Sequence, residues 1–228
     1  MRALSVIIFL AILVLPAGHA SASPAINISA EDLQTLQTQA AQGDMKAQTN
    51  LGWMYLYGHG VPQDYVQARQ WWEKAAAQGD AGAQVNIGVM YAYGDGVPQD
   101  YTMARGWYEK AAAQGNTNAQ TRLGGLYARG KGVPQDYVQA AKWYEKAAAQ
   151  GDAGAQHNLG MLYRDGQGVP QDNVRASMWL NLAAASTDPM QKLTADIRDE
   201  VASRMTPAQI SEAQRLAQQC QTQHFKGC

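Results

Sequence analysis

Leu51-Gly52-Trp53-Met54-Tyr55-Leu56-Tyr57-Gly58-His59-Gly60-Val61-Pro62-Gln63-Asp64 is the stretch that decides the fold of this chain. Its closing run, Gly-x-Gly-Val-Pro-Gln-Asp, returns at Gly94 to Asp100, Gly130 to Asp136 and Gly166 to Asp172, a period of 36 residues. Ala47, Ala83, Ala119 and Ala155 fall in the same register, as do Leu51, Ile87, Leu123 and Leu159, each of these last followed by Gly. Ala-x-x-Trp recurs downstream in every copy. A period of this length marks stacked repeats rather than a single closed core.

Each unit reads as two helices. From Ala47 to Tyr57, Leu51 and Tyr55 share a face, and Gly52 lets a neighbouring helix come close. Gly58 and Gly60 tolerate turn conformations that a β-carbon penalises, and Pro62 cannot continue a helix. Asp64 then caps a second helix that runs to about Gln78, before Gly79. Gln67 gives a capping-box spacing, repeated by Asp136 with Gln139. On the second helix Ala68, Trp71, Trp72, Ala75 and Ala76 share an apolar arc, while Gln70, Glu73 and Lys74 point elsewhere. One helical pair cannot bury both of its faces, so successive pairs stack.

The predicted fold is therefore all-α, an α-solenoid with units at 47–82, 83–118, 119–154 and 155–187. Within residues 23–46, Asp32 to Gly43 reads as a lone second helix that caps the N-terminal end. Residues 188–228 read as a C-terminal cap of two helices, opened by Asp188-Pro189 with Gln191 and by Thr206-Pro207 with Gln209. Their expected buried stripes are Leu193, Ile197, Val201 and Ile210, Ala213, Ala217, Cys220. Gln48, Gln84, Gln120 and Gln156 are expected to bond between adjacent units.

The Leu-Gly-x-x-Tyr start, the Gly-x-Gly-Val-x-x-Asp turn, the Ala-x-x-Trp and the Ala-Ala-x-x-Gly end together resemble the Sel1-like repeat family, a relative of the tetratricopeptide repeat. The resemblance covers residues 47 to about 185, with Thr187 where the fourth closing Gly would fall. It implies a right-handed solenoid whose first helices line a concave surface that binds peptides or protein segments. It also implies a role like that of bacterial members, which act as periplasmic regulators, envelope assembly factors or host-interaction factors. A cysteine-rich secreted branch of the family, for which penicillin hydrolysis has been proposed, staples each repeat with its own disulfide. Cys is absent from the repeats here, so that activity is not carried over.

Composition narrows the partners. The chain has 228 residues, 46% of them hydrophobic and 16% charged, with a formal net charge of −1. This is a globular composition without the basic field that would hold nucleic acid or an anionic membrane surface. Arg2, an apolar run from Leu4 to Leu15, Pro16 and the small residues Ala20-Ser21-Ala22 have the layout of a signal peptide cleaved after Ala22. The run is 12 residues, short of the roughly 20 that span a bilayer. Residues 1–22 are thus expected to be removed, leaving a periplasmic or secreted chain from Ser23 with no stable membrane insertion. In such a compartment Cys220 and Cys228 are expected to pair with each other, free thiols or pairing between chains being the alternatives.

Candidate chemistry is sparse. His59, His157 and His224 lack a second His or Cys at metal-ligand spacing, and His157 reads as a surface or groove residue. The Gly-x-Gly pairs follow helices rather than strands and read as turns, not phosphate loops. Asp64, Asp100, Asp136 and Asp172 read as caps, and the aromatic pairs at 71/72, 107/108 and 143/144 as core. No catalytic residue, metal or cofactor is expected. Specific recognition belongs where units differ, on the first-helix face opposite Leu51 and Tyr55: Asn50, Trp53, Tyr57; Asn86, Val89, Tyr93; Arg122, Gly125, Arg129; Asn158, Met161, Asp165. Of these, Asn50, Trp53, Tyr57, Asn86, Tyr93, Arg122, Arg129 and Asn158 are the candidate partner-binding residues. The expected function is an exported, non-enzymatic adaptor, regulator or assembly factor that holds a protein or peptide in its concave groove. The alternative is an envelope enzyme or glycan-binding protein acting on peptidoglycan or β-lactams.

Overall fold

The computed structural model describes residues 29–186, 191–225 and 228. The expected leader at 1–22 and the cap at Asp188-Pro189 lie outside them. Each repeat opens with one helix, α2 (Met45–Tyr57), α4 (Ala81–Tyr93), α6 (Thr117–Arg129) or α8 (Ala153–Asp165). It continues into a second, α3 (Tyr65–Ala77), α5 (Tyr101–Ala113), α7 (Tyr137–Ala148) or α9 (Asn173–Ala184). α1 (Ala30–Ala41) precedes the repeats, and α10 (Gln191–Ala202) and α11 (Pro207–Thr222) follow them. Among the described residues there is no strand, and each pair packs on its neighbours as a solenoid of helical repeats.

Caps set where the helices begin. The first helices start two residues ahead of Ala47 and its equivalents, because Asp44, Asp80, Asn116 and Asp152 accept the backbone N–H of Ala47, Ala83, Ala119 and Ala155 at 2.7–3.0 Å. Likewise α1 starts at Ala30, capped by Ser29 rather than opening at Asp32. Asp64 caps α3 as expected, accepting from Val66 and Gln67. The capping box with Gln67 does not close, since the Asp64 N–H already donates to the Tyr55 carbonyl at 2.8 Å. Among the described residues the reciprocal box forms at Thr206 with Gln209.

The turn is closed by its glutamine. Gln63 Nε2 donates to the Leu56 carbonyl at 2.8 Å, and Gln99, Gln135 and Gln171 do the same to Ala92, Ala128 and Arg164. Gly58 supplies the left-handed residue, with φ 71°, that ends α2 and lets the chain reverse.

Within a unit the two helices meet at one glycine. A β-carbon at Gly52 would lie 2.2 Å from Trp72 Nε1, one at Gly88 2.5 Å from Tyr108, one at Gly124 2.5 Å from Tyr144 and one at Gly160 2.8 Å from Leu180. The aromatic that fills each gap is fully buried in the first three units. Its predecessor differs from expectation: Trp71, Trp107 and Trp143 are only half-buried. Each packs back on the preceding unit, with Lys74, Lys110 or Lys146 3.8–4.3 Å above its ring.

Across unit boundaries, Gln48 donates to the Ala40 carbonyl of α1 at 3.0 Å, Gln84 to the Ala76 carbonyl of α3 at 3.4 Å and Gln156 to the Ala148 carbonyl of α7 at 3.3 Å. Within a unit, Gln48, Gln84 and Gln120 accept from Gln78, Gln114 and Gln150 at 2.8–2.9 Å. Gln48, Gln84 and Gln156 therefore do bond to the preceding element.

At the C-terminal end α10 and α11 pack on α9. Ser177, Met178 and Leu182 are buried there, at positions that in α3 hold Arg69, Gln70 and Lys74. His157 is a correction: it is buried, with Nδ1 2.8 Å from Thr194 Oγ1, because α10 covers it. The same contact sets the rotation of α10. Thr194 and Val201 face inward, and Leu193, expected in the stripe, is 52% exposed. Cys220 and Cys228 are joined by a disulfide with Cα atoms 5.5 Å apart, and Phe225 packs on the α7–α8 turn at Gly151.

Three stability measurements follow from this packing. Gly88→Ala should lose about 2 kcal/mol in urea unfolding, because the new methyl overpacks against Tyr108. Gly106→Ala, in the interior of α5 with open space around it, should instead gain about 0.5–1 kcal/mol. Reducing the Cys220–Cys228 bridge should cost about 2.5 kcal/mol, the loop-closure entropy of so short a ring.

Candidate partner-binding groove

Positions three and seven residues apart on a helix share a face, so 50, 53 and 57 and their equivalents form one stripe per first helix. Stacking sets α2, α4 and α6 side by side and turns three stripes into one wall. A cavity of about 250 Å³ lies along it, lined by residues of α2, α4 and α6, by Tyr65 and Trp72 of α3, and by the turn residues Gln63, Asp95 and Asn116. Of the candidates, Trp53, Tyr57, Asn86 and Arg122 line it; Asn50, Tyr93, Arg129 and Asn158 do not. Tyr93 stands 48% exposed beside it, and Asn50 is exposed.

Trp53 is fixed by its neighbours. Its ring stacks on Tyr57 at 5.7 Å and meets Trp72 edge-on at 5.2 Å. His59, in the turn, continues the row by stacking on Tyr57 at 5.5 Å. Opposite this apolar floor sits Arg122, whose Nε donates to Asn118 Oδ1 at 2.6 Å and whose guanidinium carbon lies 5.9 Å from the centre of the Tyr108 ring. In the third unit Gly125 replaces the Trp53 position, and Arg129 fills the vacated space: a β-carbon at Gly125 would come within 2.6 Å of Arg129 Nη2. The fourth unit presents Asp165, which is paired with Arg164 at 2.7 Å.

Burial shapes the titrating groups. It pushes the Tyr108 phenol up to about 12, with the charges of Arg122 and Arg129 pulling the other way, and the Tyr144 phenol likewise to about 12. Tyr108 Oη is buried without a hydrogen-bond partner of normal geometry. Burial also raises the Asp95 carboxyl at the edge of the cavity. Among the described residues no group of His, Cys, Asp and Glu could hold a metal ion.

Thr49, Tyr65, Asp95 and Asn118 line the cavity without having been singled out in the sequence. For Asp95 the signal was present. It occupies the x of Gly-x-Gly, which is His59, Lys131 and Gln167 in the other units, and variability marks a site not committed to the turn.

Helix pairs stacked on a shared core, with a variable wall facing a groove, define an α-solenoid repeat protein. The Sel1 repeat matches residues 46–80, 81–116, 117–152 and 153–188, more than half of the sequence, and the chain belongs to the Sel1 repeat family. A protective antigen of uropathogenic Escherichia coli displaying this fold is 37% identical over 86% of this chain, with a TM-score of 0.77. The match takes in 41% of that antigen, so this chain spans less than half of its length. A Sel1 repeat protein from Oxalobacter formigenes is 32% identical over 81% of this chain and 79% of its own, with a TM-score of 0.66. No curated protein matches the chain significantly. The Sel1 repeat fold is in general a protein–protein interaction scaffold.

The buried phenols make an alkaline prediction. A phenol whose folded pKa exceeds its unfolded value stabilises the fold fully below the unfolded value and loses that contribution as pH rises. Unfolding free energy should hold up to about pH 10 and fall towards pH 12. Tyr108→Phe should be within about 0.5 kcal/mol of wild type at pH 7, since the hydroxyl makes no good bond, and should lessen the alkaline loss. Urea titration at pH 7, 10 and 11.5 checks both.

Proposed function

We propose that this chain is an exported, non-catalytic interaction module, an adaptor, regulator or assembly factor that holds a segment of a protein partner against α2, α4 and α6. The observation that carries the reading is the cavity in which Trp53, Tyr57 and Arg122 converge. These are the residue types that supply most of the energy of protein interfaces. The polar groups around them include the amides of Asn86 and Asn118, which can hydrogen-bond the backbone of a bound segment. The half-exposed aromatic stack is pre-ordered by Trp72 and costs little entropy to bury under a partner.

Export is supported by the layout of residues 1–22. Mass spectrometry of the chain expressed in its own cells should find an N-terminus at Ser23. A cytoplasmic pool only would overturn export, and an intact Met1 in the periplasmic or cell-free fraction would overturn cleavage after Ala22.

Groove binding is tested by affinity capture from envelope extract with the chain from Ser23 and with Trp53→Ala/Tyr93→Ala/Arg129→Ala. Wild type should retain specific proteins that the triple variant, checked for helicity by circular dichroism, releases. Equal retention by both would place binding elsewhere on the molecule.

A further inference from the structure

The two arginines of the groove wall have no acid of their own. Among the described residues, ion pairs join Arg69, Arg105, Arg164, Arg175, Arg198, Arg204 and Arg215 to carboxylates, and neither Arg122 nor Arg129 is in the set. Both are nevertheless held in place. Arg122 is tethered by Asn118 and lies near the face of Tyr108. Arg129 lies back over Gly125, the glycine that replaces Trp53, Val89 and Met161 of the other units. Each head group thus sits about one turn N-terminal of its own Cα, as long helical side chains do. Seven residues of α6 keep the two about 10 Å apart along the axis.

Arg122 also lines the cavity that holds Trp53 and Val89, so a cation and an apolar floor belong to one site. The acid among the lining residues is Asp95, in the turn after α4. Charge along the groove is therefore polarised, with cations on the third unit and a carboxylate at the Asp95 turn.

We propose, building on the groove reading above, that the partner is an acidic linear segment. It places one apolar side chain in the cavity against Trp53 and Val89 and two side-chain carboxylates on Arg122 and Arg129. A segment in the polyproline II conformation turns once every three residues and rises about 3.1 Å per residue, so carboxylates three residues apart share a face about 9 Å apart and match the spacing of the two guanidiniums. Pairing with a carboxylate gives each preordered guanidinium a charge-assisted, bidentate partner.

The test is selection from a random dodecapeptide library displayed on phage, with the peptide's C-terminus fused so that only side-chain carboxylates are offered. Selected sequences should combine an aromatic or aliphatic residue with two Asp or Glu three apart. Changing both acids of a selected synthetic peptide to Asn or Gln should weaken its binding at least about tenfold in fluorescence anisotropy. Arg122→Gln/Arg129→Gln should weaken the acidic peptide by a similar factor and leave the amide peptide unchanged, and Trp53→Ala should weaken both. Selected peptides that are apolar but indifferent to charge, or that bind the double Arg variant as tightly as wild type, overturn the acidic-segment proposal and leave the groove reading standing. Peptides whose binding survives Trp53→Ala, or a library that yields no binder, overturn the groove reading and the proposal with it.

Discussion

The contact of a helix glycine with the side chain opposite it governs this molecule. Gly52, Gly88, Gly124 and Gly160 leave no room for even one methyl against Trp72, Tyr108, Tyr144 and Leu180. That contact fixes how closely the two helices of a unit approach, and hence how wide a face each unit offers the next. The remaining devices adapt to it. Gln63 and its equivalents hold the turn that returns the second helix to the glycine, and Gln84 and Gln156 tie one finished pair to the next. Dispersion contacts at this density are strong only when the gap is closed, so the glycine matters through the packing it permits.

The repeat was legible because it is written four times. Period, turn, second-helix cap and glycine contact all come from residues that recur, and recurrence distinguishes a packing rule from chance. What was less legible is what occurs once. The α10 rotation follows from a single buried pair, His157 with Thr194, and an apolar periodicity in which Leu193 was the stronger hydrophobe pointed the other way. Each first helix starts ahead of the aligned Ala because Asp44 and Asp80 cap it, and a lone Asp three residues before an alanine is a weaker signal than the recurring turn.

The same holds for the groove. Half of the candidate residues line one cavity, because a stripe on a helix is a matter of angular spacing that sequence specifies well. How deep each side chain sits depends on neighbours from other units. Arg129 lies along the wall because Gly125 left space for it, and Asp95 reaches the cavity because its turn packs on Tyr65 at the start of α3. The fourth unit carries a parallel lesson. Met178 and Leu182 depart from the polar pattern of Gln70 and Lys74, and those departures mark where the terminal hairpin lands.

The junction between units has a consequence for how such a chain changes length. A β-carbon at Gly96 would lie 2.4 Å from Tyr65 Cβ, and one at Gly132 2.5 Å from the Tyr101 carbonyl carbon, so each turn rests on the first residue of the previous unit's second helix. Both halves of that joint are carried by every internal unit. Duplicating or deleting one whole 36-residue block therefore rejoins a surface to a copy of its usual mate. The reach of the molecule can grow or shrink by recombination in steps of one unit, while both end caps stay as they are.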